Sequence, residues 1–137
     1  MMQNFIRKVR KAYRLFHNPR FRKAGLKGVA ATIEHLGCLS RQNFQTVIDI
    51  GAHKGQFSLL ALEIFPSSKV YSFEPLSAPG RIFMQIFNDE KRIQLFPSAI
   101  GPNDTSSSMN ISARDDSSSL LPITENQNRI FPGTEAI

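Results

Sequence analysis

The chain has 137 residues, of which 41% are hydrophobic and 20% are charged, and it contains a single cysteine. This length is typical of one domain, and the composition excludes wholesale disorder because there are enough apolar side chains to build a core. One cysteine excludes an internal disulfide framework and zinc sites built on paired thiolates, and it favours a reducing, cytoplasmic location. We therefore predict no metal site. No run of residues approaches the roughly 18 apolar residues that a transmembrane helix needs.

The net charge of +6 is concentrated at the amino terminus. Residues 1–28 contain nine lysine and arginine residues and no acid, whereas the remaining 109 residues contain eight basic and eleven acidic residues, a balance of −3. We interpret residues 1–43 as a basic leader attached to a mildly acidic domain.

Two helices are predicted in the leader. The first covers residues 3–16 and is amphipathic, because its apolar side chains recur at helical spacing: Phe5, Val9, Tyr13 and Phe16. Asn18 and Pro19 are expected to end it, and a second helix is predicted over about 20–36, ending at Gly37.

The leader has three interpretations. The preferred one is a pair of surface helices packed on the domain. The second is peripheral contact of residues 1–28 with an anionic membrane, since a basic face opposite an apolar face suits the headgroup boundary. Binding to nucleic acid is the least favoured, because no recognised nucleic-acid fold accompanies the basic residues.

Strands and helices alternate after residue 44. The predicted elements are a buried strand over 47–50, a helix over 55–65, a strand over 69–74, a helix over 80–88 and a strand over 93–100. Parallel strands need such crossovers. The pattern therefore predicts an α/β fold, namely the first half of a doubly wound, Rossmann-like sheet preceded by basic helices.

The pattern loosens after Gly101. We place the domain at residues 44–122, with a short strand near Met109–Ile111, and an irregular tail at 123–137. Asp115 and Asp116 form a carboxylate pair beside several serines, which we interpret as a solvated loop rather than a catalytic pair.

The sharpest signal is a strand that ends in an acid and leads into a glycine-containing loop and a helix. Asp49 is followed by Gly51, which allows a tight turn, and by Gly55, which lets backbone approach a ligand without a side chain in the way. The start of the following helix offers unpaired amides to an anionic group. Taken alone, such a loop is equally consistent with a purely structural turn.

Glu74 at the end of the second strand favours a nucleotide site. It lies 23 residues after Gly51, close to the spacing of about 20 residues at which nucleotide-binding folds place an acid on ribose hydroxyls. A carboxylate suits a diol because it can accept two donors at once. The dinucleotide pattern of three glycines is absent, which favours a nucleoside ligand without a pyrophosphate.

These segments resemble those of FkbM-type methyltransferases, which use S-adenosylmethionine. The first motif of that family is similar to TVIDIGAHKGQFS at residues 46–58, and the second to VYSFEP at 70–75. SAIG at 98–101 and SSSLL at 117–121 are similar to two further segments of the family. The resemblance covers about residues 44–122.

The resemblance implies a set of residues that bind S-adenosylmethionine: Asp49, Gly51, Ala52, His53, Gly55, Glu74, Pro75, Ser98 and Ala99. The loop from Asp49 to Gly55 is expected to line the methionine end, Glu74 to hold the ribose, and Ser98 or Ala99 to lie near the adenine. His53 replaces the asparagine that is common in the family at its position. Its side chain is either a hydrogen-bond donor that supports the residues contacting the ligand or simply exposed, and we favour exposed.

The resemblance implies methyl transfer to oxygen of a small molecule or glycan, but no catalytic residue is identified. The family continues with a Leu-Asp element and a Lys-Ile-Asp-x-Glu-Gly motif, and neither occurs in the 137 residues. We therefore expect a truncated reading frame or fragment that is not a competent enzyme by itself. The alternative is an inactive remnant that retains only the cofactor pocket.

Overall fold

A computed structural model describes residues 18–137, without the side chain of Asp115. The amphipathic helix predicted over 3–16 lies outside the described residues. The chain divides into two compact units, of which the first ends at Ile100 and the second spans Gly101–Ile137. This division differs from the boundary at residue 122 that the sequence suggested, and each unit is described by itself.

Helix α1, Pro19–Gly25, begins at the Asn-Pro pair that was expected to end the preceding helix. Asn18 is its N-cap, and the side-chain oxygen accepts hydrogen bonds from the amides of Arg20 at 2.9 Å and Phe21 at 3.4 Å. Proline is favourable at the first helical position because its missing N–H has no acceptor there. The same two residues therefore start a helix.

The prediction of one helix over 20–36 is wrong. Helix α1 stops at Gly25, and Gly28 has a φ of +71°, a left-handed conformation that cannot continue a right-handed helix. Val29 and Ala31 then pack into the core outside any helix. A 3₁₀ turn at Ile33–His35 follows, and then the short helix α2, Leu36–Leu39. Helix α2 contains Gly37, the glycine at which the predicted helix was expected to end.

The predicted strand–helix alternation is confirmed. Strands β1 (Thr46–Ile50), β2 (Lys69–Phe73) and β3 (Ile93–Phe96) form a parallel sheet in the order β1-β2-β3. Helix α3 (Gln56–Ile64) connects β1 to β2, and helix α4 (Ser77–Phe87) connects β2 to β3. The protein is therefore an α/β protein with a three-stranded parallel sheet.

Two boundaries differ from the prediction because of proline. Helix α4 begins at Ser77 and not at residue 80, since Pro79 lies in the first turn, where a helix tolerates it. Strand β3 ends at Phe96 and not at residue 100, because Pro97 has no N–H with which to continue the ladder.

The sheet is covered by helices on one face. Right-handed crossovers between neighbouring strands place α3 and α4 on the same side. Val47 and Val70 face these helices and are buried, together with Leu59 of α3 and Phe83 of α4. Burial of each such side chain contributes about 1.5–3 kcal/mol.

Strand β1 was expected to be buried, and only one of its faces is. Its burial alternates, and Ile48 and Ile50 are each 62% exposed on the face opposite the helices. An apolar run alone does not distinguish a strand covered on one face from a strand covered on both.

The amino ends of the strands are tied to α1 by charges. Glu90 pairs with Arg20 at 2.8 Å and with Arg92 at 3.1 Å, and Lys23 pairs with Asp89 at 3.1 Å. Arg92 also donates to carbonyls at the end of α3 and in the turn after it, including that of Pro66 at 2.7 Å. Ion pairs and bonds from Arg92 therefore link this edge of the sheet to α1 and α3, in addition to the burial of Phe21 and Ala24 of α1.

The second unit contains little regular structure. Isolated antiparallel bridges join Asn110 to Ser119 and Ser112 to Ala136, where a short strand was predicted. The segment predicted to be irregular contains helix α5, Glu125–Ile130, whose N-cap Thr124 accepts a hydrogen bond from an amide of its first turn. Across residues 18–137, no helix has the length and apolar character needed to cross a bilayer.

Candidate functional site

The loop after β1 is pinned to the end of β2. The amides of Gly51 and Ala52 both donate to the carbonyl of Phe73 at 3.0 Å, and the amide of Gly55 donates to the carbonyl of Ala52 at 2.7 Å. The loop thus continues the parallel pairing beyond the strand and then closes a turn that leads into α3. Its position is set at the carboxyl edge of the sheet, where open α/β sheets bind ligands.

The two glycines of the loop serve different purposes. Gly51 has a φ of +76°, and a Cβ there would point into open space. Gly55 has a φ of +92°, and a Cβ there would collide with the rings of Phe87 and Phe83 on α4. The missing side chain of Gly55 leaves room for aromatic packing, and close approach from outside is possible at Gly51.

His53 lies inside the loop and not on its surface. Its φ of +49° is left-handed, a conformation that asparagine and histidine adopt more readily than most residues. Its amide donates to Glu74 Oε2 at 2.8 Å, and its ring Nδ1 lies 3.2 Å from Gln56 Nε2. The side chain is half-buried, so the prediction that it is exposed is wrong. The contact with Gln56, the first residue of α3, holds the ring against the helix.

Glu74 connects the two loops of the site. Its carboxylate is only 5% exposed, and it accepts the amide of His53 on Oε2 and the amide of Leu76 on Oε1, each at 2.8 Å. Both donors are neutral backbone groups. A carboxylate has about four lone-pair positions, so these two bonds leave acceptor capacity on each oxygen.

Asp49 is buried beneath the loop. It is 7% exposed, and its Oδ2 accepts the hydroxyl of Ser58 at 2.6 Å. Burial raises the pKa of Asp49 above its ordinary value of 3.8, hydrogen bonds from the Ser58 hydroxyl and amide oppose this, and the nearby Glu74 carboxylate raises it further. Asp49 thereby caps the first turn of α3, where a negative charge is favourable.

The other predicted residues are spread around this centre. Ala52 is 4% exposed and belongs to the core, so it serves the loop through its backbone. Pro75 is half-buried beside Glu74. Ser98 and Ala99 lie in the exposed bend that follows β3.

A cavity of about 480 Å³ opens beside Glu74. Apolar side chains form much of its wall, including Leu76, Met84, Leu95 and Pro97, and Arg81 adds a cation. Its volume lies in the range of about 300–1,000 Å³ that is typical of small-molecule sites. The cavity thus places a hydrogen-bond acceptor, Glu74, beside a largely apolar wall.

The sequence reasoning missed two residues of the site, Ser58 and Ser72. Both are fully buried, and their hydroxyl oxygens lie 2.9 Å apart. A signal was present, because Ser72 stands at an inward-facing position of an apolar strand, as Asp49 does, and the two residues are register partners.

The remaining acidic candidates lie in the second unit. Asp116 is exposed and pairs with Arg114 at 3.0 Å, which agrees with the interpretation as a solvated loop. In the part of the chain that the structure describes, no group of three or more His, Cys, Asp and Glu side chains is placed to hold a metal ion.

Comparison of the chain with models of protein families finds no match, and comparison with curated proteins finds none either. The arrangement of residues at the carboxyl edge of the sheet is the feature that bears on function.

Proposed function

We propose that the chain binds S-adenosylmethionine at the carboxyl ends of β1 and β2, as part of a methyltransferase of the FkbM type. In this proposal the three-stranded sheet is the first half of a doubly wound, Rossmann-like sheet. The observation that carries the proposal is Glu74, a buried carboxylate at the end of β2 that is bonded to the loop after β1 and borders a cavity of about 480 Å³.

The residues of the site fit this cofactor. Glu74 has acceptor capacity left for a ribose diol, because each of its oxygens receives one backbone amide. Gly51 presents backbone without a side chain and opens to space. Asp49 adds a second carboxylate, which suits a ligand that carries positive charge. When bound, the cofactor supplies an electrophilic methyl group for transfer to a nucleophile.

The acceptor proposed from the resemblance is an oxygen of a small molecule or glycan. A second candidate function is cofactor binding without chemistry. It is favoured by the way the titratable groups of the site are engaged: Asp49 with Ser58, His53 with Gln56, and Glu74 with two amides. Formation of S-adenosylhomocysteine in the presence of acceptor oxygens distinguishes the two candidates.

The binding test uses the ligand's own hydroxyls. Isothermal titration is run with S-adenosylhomocysteine and with its 2′,3′-dideoxy analogue, on the parent chain and on Glu74→Gln. We expect Glu74→Gln to weaken binding of the natural ligand about 10-fold and to affect the analogue much less, because a hydrogen bond to a charged group is lost in the first case only.

Glu63→Gln is the matched control, because it also replaces a carboxylate by an amide. Glu63 is exposed and lies near the carboxyl end of α3, whereas the loop after β1 leads into the amino end of that helix. Equal losses for both ligands in Glu74→Gln would mean that Glu74 only ties the two loops together. A parent chain that binds neither ligand contradicts the proposed function.

A further inference from the structure

A row of buried hydroxyls leads to the carboxylate beneath the loop. Ser58 Oγ lies 2.6 Å from Asp49 Oδ2 and 2.9 Å from Ser72 Oγ. The three residues come from α3, β1 and β2, and both serines are 0% exposed. The row therefore crosses three elements at the point where the loop leaves the sheet.

The direction of the row follows from counting protons. A serine hydroxyl carries one proton, and Ser58 donates its proton to the Asp49 carboxylate, which can only accept when ionised. Ser72 must then be the donor to Ser58. Hydrogen bonds in such a row polarise one another, so the hydroxyl of Ser72 strengthens the bond that Ser58 makes to Asp49.

We propose that Ser58 and Ser72 are positioning residues for ligand binding: their hydroxyls hold the Asp49 carboxylate at the end of β1, where its charge attracts the cationic part of the ligand. This inference rests on the proposed function, because it takes the ligand to be S-adenosylmethionine, which carries a sulfonium and an ammonium group. The carboxylate receives hydroxyl and amide hydrogen bonds from Ser58, and these bonds orient it while leaving its negative charge in place.

The competing explanation is that the row of hydroxyls only stabilises the fold. The two explanations predict a different dependence of ligand binding on pH. Glu74 is the charged neighbour that acts on Asp49, and the groups that face it from α3 and β2 are the hydroxyls of Ser58 and Ser72. The hydrogen bonds from Ser58 favour the ionised form, so removing its hydroxyl moves the titration of Asp49 to higher pH. Ligand binding that needs the ionised Asp49 carboxylate must then shift to higher pH as well.

The test measures binding of S-adenosylmethionine by isothermal titration between pH 5 and 8. Ser58→Ala is expected to weaken binding about 10-fold at pH 6 and to shift the midpoint of the pH profile upward. Ser72→Ala, which acts through Ser58, is expected to produce a smaller change in the same direction. Titration of the Asp49 carboxyl carbon by NMR is a readout that needs no ligand, and its midpoint is expected to rise in Ser58→Ala.

Ser68→Ala is the matched control, since Ser68 is also 0% exposed and its hydroxyl donates to the carbonyl of Phe65 at 2.9 Å, away from the loop. Ser58→Cys nearly keeps the volume and weakens the donor, and it replaces Ser58→Ala if the alanine variant does not fold. Binding in which the Ser58 and Ser68 variants behave alike, or a pH profile that does not move, overturns the inference alone. A parent chain without binding overturns the proposed function, and the inference falls with it.

Discussion

The two ends of the parallel sheet hold their carboxylates in opposite ways. At the amino end, Glu90 lies between the guanidinium groups of Arg20 and Arg92, at 2.8 Å and 3.1 Å. At the carboxyl end, Asp49 and Glu74 accept hydrogen bonds from a serine and from backbone amides. Two cations of the chain match the negative charge of Glu90, whereas the serine and amide groups that donate to Asp49 and Glu74 are neutral.

The pKa values follow this difference. Burial would raise the pKa of Glu90, but hydrogen bonds from Arg92 and the charges of Arg92 and Arg20 outweigh burial and hold the pKa below 4.5. Burial raises the pKa of Asp49, and its hydrogen bonds with Ser58 only partly compensate. A buried acid that is not matched by a cation costs stability, and such acids cluster at functional sites. Opposite charges therefore stabilise the amino end, whereas the carboxyl end holds a buried acid and the candidate site.

The largest expected effect concerns the packing of the loop after β1 against helix α4. Gly55→Ala introduces a Cβ at a left-handed residue and against the rings of Phe83 and Phe87. We expect a loss of about 3 kcal/mol in the free energy of unfolding, from backbone strain and overpacking together. Urea denaturation followed by circular dichroism measures it.

Gly51→Ala is the matched control, because that position has the backbone strain without the collision. It is expected to cost about 1 kcal/mol. Equal losses in the two variants would show that the aromatic rings move aside and that packing does not fix the loop.

The second prediction tests the ion-paired end. Glu90→Gln removes the charge that two arginines share, and we expect a loss of about 1 kcal/mol at pH 7, since Arg20 is 42% exposed and solvent screens its part. The folded pKa of Glu90 is depressed, so its contribution is complete above about 4.5 and is lost as pH falls through the folded pKa. Unfolding at pH 7 and pH 3 should therefore show a smaller difference between parent and variant at pH 3 than at pH 7.

The control for that prediction is Glu125→Gln, an exposed acid in the first turn of α5. It is expected to change stability by a few tenths of a kcal/mol at most. A Glu90 variant whose loss persists undiminished at pH 3 would show that packing, and not charge, holds the amino end.

The third prediction tests how the charge of Asp49, at the carboxyl end of the sheet, affects stability as pH changes. The folded pKa of Asp49 is raised, so the folded chain keeps a proton that the unfolded chain releases near 3.8, and stability falls as pH rises from 3.8 to the folded pKa. Asp49→Asn is expected to remove this fall and to be at least as stable as the parent at pH 7, while binding of S-adenosylmethionine is lost. Thermal unfolding from pH 4 to pH 7 measures the first part.

Asp89→Asn is the control, because Asp89 is 83% exposed and pairs with Lys23 at the other end of the sheet. It is expected to leave both the pH profile and binding unchanged. A marked loss of stability in Asp49→Asn at pH 7 would contradict the comparison, since the carboxylate would then be a net contributor to folding.

The sequence was sufficient for features that depend on neighbours along the chain. The alternation of strands and helices, the loop after Asp49 and the spacing to Glu74 all rest on local patterns, and the structure contains each of them. The second helix of the leader, over 20–36, was mispredicted for a reason that is not local. Val29 and Ala31 are buried outside a helix, so tertiary packing overrides the helical period.

The details of the site could not be predicted because they depend on which strands pair and in what register. Ser72 contacts Ser58 beside Asp49 because residues 49 and 72 are partners across β1 and β2. The purpose of Gly55 depends on the rings of Phe83 and Phe87, about thirty residues further along the chain. A pattern of glycines indicates a turn but not what fills the space beside it.

The smallest expected effect lies at His53, where the loop end carries local strain. His53→Asn places at φ +49° a residue whose short side chain suits the left-handed region better, and we expect a gain of about 0.5 kcal/mol in the free energy of unfolding. The amide that donates to Glu74 is kept, so the connection between the two loops should persist. His35→Asn is the matched control, because His35 has an ordinary φ of −80° and offers no strain to relieve. If His53→Asn is less stable than the parent while His35→Asn is unchanged, the contact between the His53 ring and Gln56 outweighs the backbone strain. Side chains would then hold the carboxyl end of the sheet as firmly as ion pairs hold the amino end.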